Sequence, residues 1–221
     1  SPIIGSGGLT ISGEGTVELF GANTYTGMTY VDAGTLKLYS NILKDVTVQN
    51  EGMLSGSVNV GGVIINNGGI VSPGNSPGVI TFNDPEYVNV WGAGGGYLWE
   101  INDTEAGAGT GWDLMDIAGS LLITATASNP FVIDITSLKQ DNSAGDVWNF
   151  DAGLDYMWTI ATADAGISGF SSGVFSLVDH FSNTGADISK FFIGNVGNDI
   201  RLAYSASGTN PFPEPSGDVD R

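Results

Sequence analysis

The stretch GTVELFGANTYTGMTYVDAGTLKL, residues 15–38, begins and ends with nearly the same five residues. GTVEL at residues 15–19 returns as GTLKL at residues 34–38, and glycine occupies the corresponding position again at Gly52 and Gly69. The successive spacings between these glycines are 19, 18 and 17 residues. A unit of nearly constant length is typical of solenoid proteins, in which each repeat buries its apolar side against its neighbours.

On both sides of each turn, apolar residues alternate with polar or small ones, and this period of two predicts strands with one buried face. Counted from the turn glycine, the apolar positions form four columns. The columns are Val17, Leu36, Leu54 and Val71; Ile11, Tyr30, Val48 and Ile65; Leu9, Met28, Val46 and Val63; and Tyr25, Leu43 and Val60. Stacked at about 4.8 Å per winding, they predict an all-β fold with a parallel β-helix in the N-terminal third. Glu18 and Lys37 would then be outward neighbours able to pair. Short strands of a sandwich that align by chance are the alternative.

The composition narrows the functional class. Of 221 residues, 34 are glycine and 14% are charged, and the formal net charge is −18. Such an acidic chain would be repelled by nucleic acid and by an anionic membrane surface. The 41% of apolar residues is enough for a core. The absence of cysteine excludes disulfides and thiol chemistry, and no apolar run is long enough for a membrane helix, so we expect no membrane insertion.

Residues 21–36 resemble the autotransporter-associated β-strand repeat of bacterial passenger proteins. The family pattern is Gly-x-Asn-x-Tyr-x-Gly followed by Thr-x-Val-x-x-Gly-Thr-Leu. The matching positions are Gly21, Asn23, Tyr25, Gly27, Thr29, Val31, Gly34, Thr35 and Leu36. GGIVSPGNSPGVITF, residues 68–82, is similar to the segment that often follows such repeats. The resemblance implies a right-handed β-helix, export to the bacterial surface or the extracellular space, and an adhesive or scaffolding role without catalytic residues.

After the two Ser-Pro-Gly turns of residues 72–78 the period is lost, because such turns redirect the chain. Further strands are predicted at residues 97–101, 114–124, 131–135, 157–161, 191–193 and 200–204, and a short helix is an option within residues 171–192. This half either continues or caps the solenoid, which we favour because an exposed last winding must be covered, or forms a separate sandwich. The predicted units are an N-terminal extension at residues 1–8, solenoid repeats at 9–83, a β-rich region at 84–208 and a proline-containing tail at 209–221.

Candidate catalytic groups are few. Glu100, Asp103, Asp113 and Asp116 are close in sequence, but the basic residues that would grip an anionic polysaccharide are scattered. His180 is the one histidine, and no Gly-x-Ser-x-Gly motif accompanies it, so a structural or surface position is expected. We therefore assign no catalytic, cofactor-binding or metal-binding residue and predict a protein that is not an enzyme.

Calcium is the one metal for which the sequence offers candidate oxygen ligands, in the loop at residues 101–116 and in GNVGNDIRL at residues 194–202. The five tryptophans all lie in the second half and are expected to fill the core, with a sugar-stacking platform or an interface anchor formed by one or two of them as the alternative. They are Trp91, Trp99, Trp112, Trp148 and Trp158.

The function that follows is a non-enzymatic extracellular building block of bacterial surface or matrix material. Copies would join head to tail as a homo-oligomer or filament, because a solenoid end can accept a further strand. The segment SPIIGSGG, residues 1–8, is a candidate for the added strand. The alternative is an adhesin-type module that binds a glycan or a cell surface.

Overall fold

The structure, a computed structural model, describes residues 2–212, and its regular elements are twenty strands and two single-turn 3-10 helices. The first ten strands are β1 (Leu9–Ile11), β2 (Thr16–Leu19), β3 (Thr29–Val31), β4 (Gly34–Leu38), β5 (Val46–Val48), β6 (Gly52–Gly56), β7 (Asn59–Val60), β8 (Val63–Ile65), β9 (Ile70–Pro73) and β10 (Val79–Phe82). The others are β11 (Val88–Trp91), β12 (Gly96–Ile101), β13 (Leu114–Ile117), β14 (Ser120–Ile123), β15 (Phe131–Ser137), β16 (Tyr156–Ala163), β17 (Ile167–Ser168), β18 (Phe175–His180), β19 (Phe191–Val196) and β20 (Asp199–Tyr204).

These strands form three sheets that surround one core. Sheet A has the order β1-β3-β5-β8-β11-β14-β17, sheet B has β18-β15-β12-β9-β6-β4-β2, and sheet C has β19-β20-β16-β13-β10-β7. Every pairing in sheets A and B is parallel, and so are those from β7 to β16 in sheet C. The chain therefore passes from sheet to sheet in successive windings. The predicted parallel β-helix is confirmed.

The decisive column of the sequence is a stack in the structure. Val17 lies opposite Leu36, Leu36 opposite Leu54, and Leu54 opposite Val71, all in parallel register. The same stack continues through Tyr97, Ile133 and Leu177. Leu36, Leu54 and Val71 are completely buried. Burial at about 25 cal/mol per Å² of apolar surface makes this column a main source of stability.

One winding departs from the predicted columns. Val31, and not Tyr30, opposes both Ile11 and Val48. Val31 is completely buried and Tyr30 is 41% exposed. Two residues separate Val31 from the turn glycine Gly34, whereas three separate Val48 from Gly52 in the next winding. Counting back from the glycine therefore exchanges the inward and outward residues of β3. A slip of one residue moves every side chain of a strand to the opposite face.

The same shift makes Met28 half-buried and places Thr29 in the core column, where Thr29 opposes Leu9 and Val46. The hydroxyls of Thr29 and Tyr25 are 2.7 Å apart and satisfy each other. Tyr25 is buried as predicted.

The fourth predicted column is wrong at its middle position. Leu43 is 64% exposed, and its neighbour Ile42 is buried instead, with its N–H donated to the Asn59 carbonyl. The chain between β4 and β5 is irregular, so the alternation of a strand does not extend through it. Glu18 and Lys37 do lie opposite each other in register.

The recurring glycine of the repeat has a packing cause. A Cβ atom built on Gly52 would lie 2.1 Å from the Val31 carbonyl oxygen, and one on Gly69 would lie 2.0 Å from the Val48 carbonyl oxygen. In both cases the carbonyl belongs to the preceding winding. The turns thus stack more closely than any side chain allows, and glycine is the residue that permits such an approach.

The solenoid continues through the second half with longer windings. Along the central column of sheet B, the spacing is 17 residues from Leu54 to Val71, then 26 to Tyr97, 36 to Ile133 and 44 to Leu177. Most of the added residues lie in loops outside the sheets, so the strands keep their register while the sequence loses its period. The parallel ladders cross the predicted unit boundary at residues 83–84.

The sequence predicts no strand at β11, β17 or β18, and it predicts one strand at residues 114–124, where β13 and β14 occur. β11 and β17 belong to sheet A, and β18 is the last strand of sheet B. The region where a helix was an option contains only the 3-10 turns Ser172–Val174 and Ile188–Lys190.

The C-terminal end of sheet C is covered by a hairpin. β20 pairs antiparallel with β16, and β19 pairs antiparallel with β20. Phe212 packs next to the hairpin, where a Cβ atom on Gly194 would meet its ring. The irregular cap predicted for the solenoid is therefore present.

At the other end, residues 3–7 lie along residues 23–27 of their own chain. Thr24 donates its N–H to Ile3, and Gly27 donates to Gly7. The tail beyond residue 212, including most of the predicted proline-containing segment, lies outside the described residues. Within residues 2–212, no helix is long and apolar enough to span a membrane.

Candidate functional site

A polar groove of about 500 Å³ crosses the outer wall of sheet B. Five successive windings contribute to it, through β2, β4, β6, β9 and β12. We call this surface the sheet B groove; its lining residues are Thr16, Glu18, Thr35, Lys37, Met53, Ser55, Ser72, Gly74, Asn75 and Glu100. At about 4.8 Å between neighbouring strands, four inter-strand steps give a length of about 19 Å.

The parallel register brings these side chains together in rows. Thr16, Thr35 and Met53 form one outward row, and Glu18, Lys37 and Ser55 form the next. Ser72 continues the second row from Ser55. The alternation that buries Leu36 and Leu54 therefore also points their neighbours into the groove.

The aromatic pair Phe20 and Tyr39 lies beyond Glu18 and Lys37 on the same wall. The two rings are stacked with centroids 4.4 Å apart, and Phe20 is 67% exposed. Tyr39 donates its hydroxyl to Glu18 Oε1 at 3.2 Å, and Lys37 Nζ lies 5.6 Å from the centre of the Tyr39 ring. Glu18 and Lys37 therefore each contact Tyr39 and form no ion pair within 4 Å in the described chain.

Glu100 and Asp113 are the two predicted carboxylates that the structure brings together. Asp113 is completely buried, and its two oxygens accept the N–H groups of Gly78 at 2.7 Å and Glu100 at 3.0 Å. Burial, together with the nearby Glu100 charge, holds the pKa of Asp113 well above its usual value, against the lowering effect of these two hydrogen bonds. Burial also raises the pKa of Glu100.

The other two predicted carboxylates point elsewhere. Asp103 accepts the N–H of Glu105 and the amide of Asn149 in an outer loop. Asp116 lies on the outer wall of sheet C, opposite Thr162. The four groups therefore do not converge on a common point. Within residues 2–212, no set of three or more His, Cys, Asp or Glu side chains is arranged to hold a metal ion.

The segment of residues 194–202 is the β19–β20 hairpin. Asn195 donates its amide to the carbonyls of Gly197 and Asp199 across the turn. Gly197, with a φ of 62°, lies in the two-residue connection of the hairpin, and Gly194 lies within β19. The calcium candidates at residues 101–116 and 194–202 remain predictions.

His180 is on the surface, where its Nδ1 lies 2.7 Å from Asp134 Oδ1. This hydrogen bond to Asp134 raises the pKa of His180. The carboxylate belongs to β15 and the imidazole to β18, so the pair joins neighbouring windings. A surface position was predicted for this residue, but its partner was not.

Most of the tryptophans fill the core. Trp91, Trp99 and Trp158 are almost completely buried, and Trp91 stacks on Phe131 with centroids 4.7 Å apart. Trp148 is 55% exposed on a loop, away from the sheet B groove. The exposed aromatic surface beside the groove is Phe20 and Tyr39, which the sequence analysis did not single out.

A second, apolar hollow of about 260 Å³ adjoins the groove at Met53. Ile70, Leu98 and Val132 contribute apolar side chains to it, and Gly96 leaves the space open between the rows. Ile70 opposes Gly96, and Gly96 opposes Val132, in successive windings. The outer wall of sheet B therefore changes from hydroxyl-rich to apolar along the solenoid axis.

The repeat that forms the first two windings has a known counterpart. Residues 9–38 match the family model of the passenger-associated-transport-repeat. This stretch is similar to a passenger repeat. The match covers β1 to β4 and confirms the resemblance that the sequence predicted.

Curated relatives agree with the passenger repeat. An extracellular serine protease of Serratia marcescens is 42% identical over 78 residues, which are 35% of this chain and 8% of that protein. The autotransporter lipoprotein NalP of Neisseria meningitidis serogroup B is 41% identical over 69 residues, 31% of this chain and 6% of NalP. The chain thus matches less than a tenth of either relative. These likenesses place it with exported bacterial proteins of the extracellular space or the cell surface.

Proposed function

We propose that this chain is a non-enzymatic structural module of an exported bacterial passenger, and that its solenoid joins head to tail with other copies. The proposal is based on the exposed strand edges of the first winding. β1 and β2 end sheets A and B. Val17, the first member of the buried stack, is 38% exposed although the next members are completely buried. A strand edge beside apolar side chains is a template for a further strand.

The opposite end offers a complementary edge. β18 is the last strand of sheet B, and its Phe175 and Leu177 border an open hollow of about 240 Å³ together with Phe191 and Phe192. A contact between two different ends does not close on itself and extends into a filament. A preceding winding of a longer chain and a second copy would both fit the N-terminal edge, and the oligomeric state distinguishes the two.

The assignment of a non-enzymatic role rests on how the candidate groups are used. Both oxygens of Asp113 hold backbone N–H groups, and His180 pairs with Asp134 on the surface. The match to the serine protease covers 8% of that protein, so we infer no protease activity for this chain from it.

Sedimentation velocity and negative-stain microscopy of the purified chain test the assembly. We expect filaments or concentration-dependent oligomers, and we expect Val17→Lys to abolish them by placing a charge on the stacking edge. Thr10→Lys, on the outward face of β1, is the matched control and should assemble normally. A wild-type monomer at all concentrations would refute the assembly.

A binding module for a glycan or a cell surface is the second candidate function. The sheet B groove favours it, because hydroxyl and charged side chains from five windings converge on one accessible surface.

A further inference from the structure

We infer that the sheet B groove binds an uncharged polysaccharide strand that lies along the solenoid axis. This inference specifies the ligand class and site of the second candidate function and rests on it. The groove shares β2 with the proposed assembly edge, but it uses the outward side chains Thr16 and Glu18, whereas assembly would use the free backbone edge and Val17. Polymer binding and oligomeric state are therefore measured separately.

The carboxylate of Glu100 lacks a hydrogen-bond donor. It is half-buried in the groove, and no side chain or backbone N–H in the described chain donates to it. Its backbone is fixed, since the Glu100 N–H donates to Asp113 Oδ2 and the Glu100 carbonyl accepts the Asp113 N–H. A partly desolvated carboxylate without donors is stabilised by a ligand that supplies them. The hydroxyls of a sugar are such donors.

The row of small hydroxyl side chains fits the same chemistry. The hydroxyls of Thr16, Thr35, Ser55 and Ser72 line the groove and make no hydrogen bond within the described chain. Each hydroxyl can donate and accept. A polyhydroxylated strand can therefore be bound at several successive windings, each of which repeats the previous one about 4.8 Å further along.

The adjoining hollow supplies an apolar contact. Met53 lines both surfaces, and Ile70, Leu98 and Val132 extend the apolar side. A sugar ring has an apolar C–H face and a polar rim, so a wall with hydroxyl and apolar parts matches both. Such a combination of apolar walls with a few placed polar groups is typical of ligand sites.

The charges favour a neutral ligand over an acidic one. Glu18 and Glu100 face the groove with the single cation Lys37, and the whole chain carries a formal net charge of −18. A uronic acid or sulfated polysaccharide would be repelled by this field.

Native affinity electrophoresis of the full chain tests the inference, with dextran, hydroxyethylcellulose or xyloglucan as neutral polymers in the gel and alginate as the acidic one. We expect at least one neutral polymer to retard the wild-type protein and alginate to leave its mobility unchanged. Thr35→Trp, which fills the groove, should remove the retardation, and Glu100→Gln should raise the dissociation constant about fivefold to tenfold, since charge-assisted hydrogen bonds are roughly twice as strong as neutral ones.

Matched controls outside the groove are Thr10→Trp on β1 and Glu86→Gln in an exposed loop, and both should bind like the wild type. Melting temperatures identify any variant that fails to fold. Retardation that persists in Thr35→Trp and Glu100→Gln would show that the sheet B groove is not the binding site. The polysaccharide would then bind at another surface of the protein. No retardation by any neutral polymer, or retardation by alginate alone, would overturn the inference, and the structural role would still be judged by the sedimentation experiment.

Discussion

Asp113 binds Gly78 across 35 residues of sequence, with the Gly78 N–H donated to the buried Asp113 Oδ1 at 2.7 Å. The other oxygen, Oδ2, accepts the N–H of Glu100 at 3.0 Å. One carboxylate therefore fixes both the Ser-Pro-Gly loop, which brings Gly74 and Asn75 to the groove, and the strand that carries Glu100. The sheet B groove depends on this buried group although Asp113 does not line it.

Replacing Asp113 by alanine should destabilise the protein by about 2–4 kcal/mol, since two buried N–H groups lose their acceptor. Urea unfolding measures this loss. Asp116→Ala is the control, because the Asp116 side chain lies on the outer wall of sheet C and makes no hydrogen bond within the described chain. Its loss should stay within about 0.5 kcal/mol. Equal effects of the two substitutions would contradict the proposed role of Asp113.

The stability of the protein should depend on pH through Glu100. Burial raises the pKa of Glu100, so the folded state binds this proton more tightly than the unfolded chain does. Stability from this group is therefore fully present at low pH and is lost as pH rises from the ordinary value of 4.5 through the raised pKa of Glu100. We expect the melting temperature of Glu100→Gln minus that of the wild type to increase from pH 4 to pH 8. A difference that is constant or shrinks over this range would show that the pKa is not raised.

His180 provides a second titration, which NMR can follow without overlap because the sequence has one histidine. The hydrogen bond to Asp134 raises the pKa of His180 above its ordinary value of 6.5. We expect Asp134→Asn to lower the pKa of the imidazole toward that value. An unchanged titration in Asp134→Asn would mean that the two side chains do not meet in solution.

Substitution of the turn glycine should be severe. Gly52→Ala places a Cβ atom 2.1 Å from the Val31 carbonyl oxygen, and backbone of the preceding winding must move to relieve the clash. The expected loss of stability is about 3 kcal/mol or more. Gly107→Ala is the matched control, because its Cβ atom meets nothing within 4 Å and should have little effect. Similar melting temperatures for both variants would contradict the close stacking of the turns.

The sequence predicted the first four windings because their strands keep one spacing and their turns require glycine. Gly34, Gly52 and Gly69 mark the turns, and the inward residues follow at fixed distances. The prediction failed at Tyr30, where a turn one residue shorter inverts the strand, and at Leu43, which lies outside any strand. Sequence spacing does not reveal either exception, since both depend on how a turn is closed.

The later windings could not be read from the sequence. Loops that lengthen the winding from 17 to 44 residues remove the period, although the register between strands stays intact. For the same reason the sequence did not show that Glu100 lines the same groove as Ser72 and Lys37, or that Asp134 meets His180. Outward residues carry no hydrophobic signal that would identify their neighbours.

The central claim is the parallel register of the windings, and disulfide trapping tests it most directly. The chain has no cysteine, so any intramolecular disulfide must form between the two introduced cysteines. Thr35 lies opposite Met53 on the neighbouring strand. Neighbouring strands are about 4.8 Å apart. This spacing lies within the Cα separation of about 4.4–6.8 Å that a disulfide requires.

We expect Thr35→Cys combined with Met53→Cys to form an intramolecular disulfide quickly under mild oxidation, as detected by mass spectrometry of the digested protein. The offset pair Thr35→Cys with Ser55→Cys should form it much more slowly. Faster trapping of the offset pair, or no trapping of the opposed pair, would contradict the β-helix proposed for this protein.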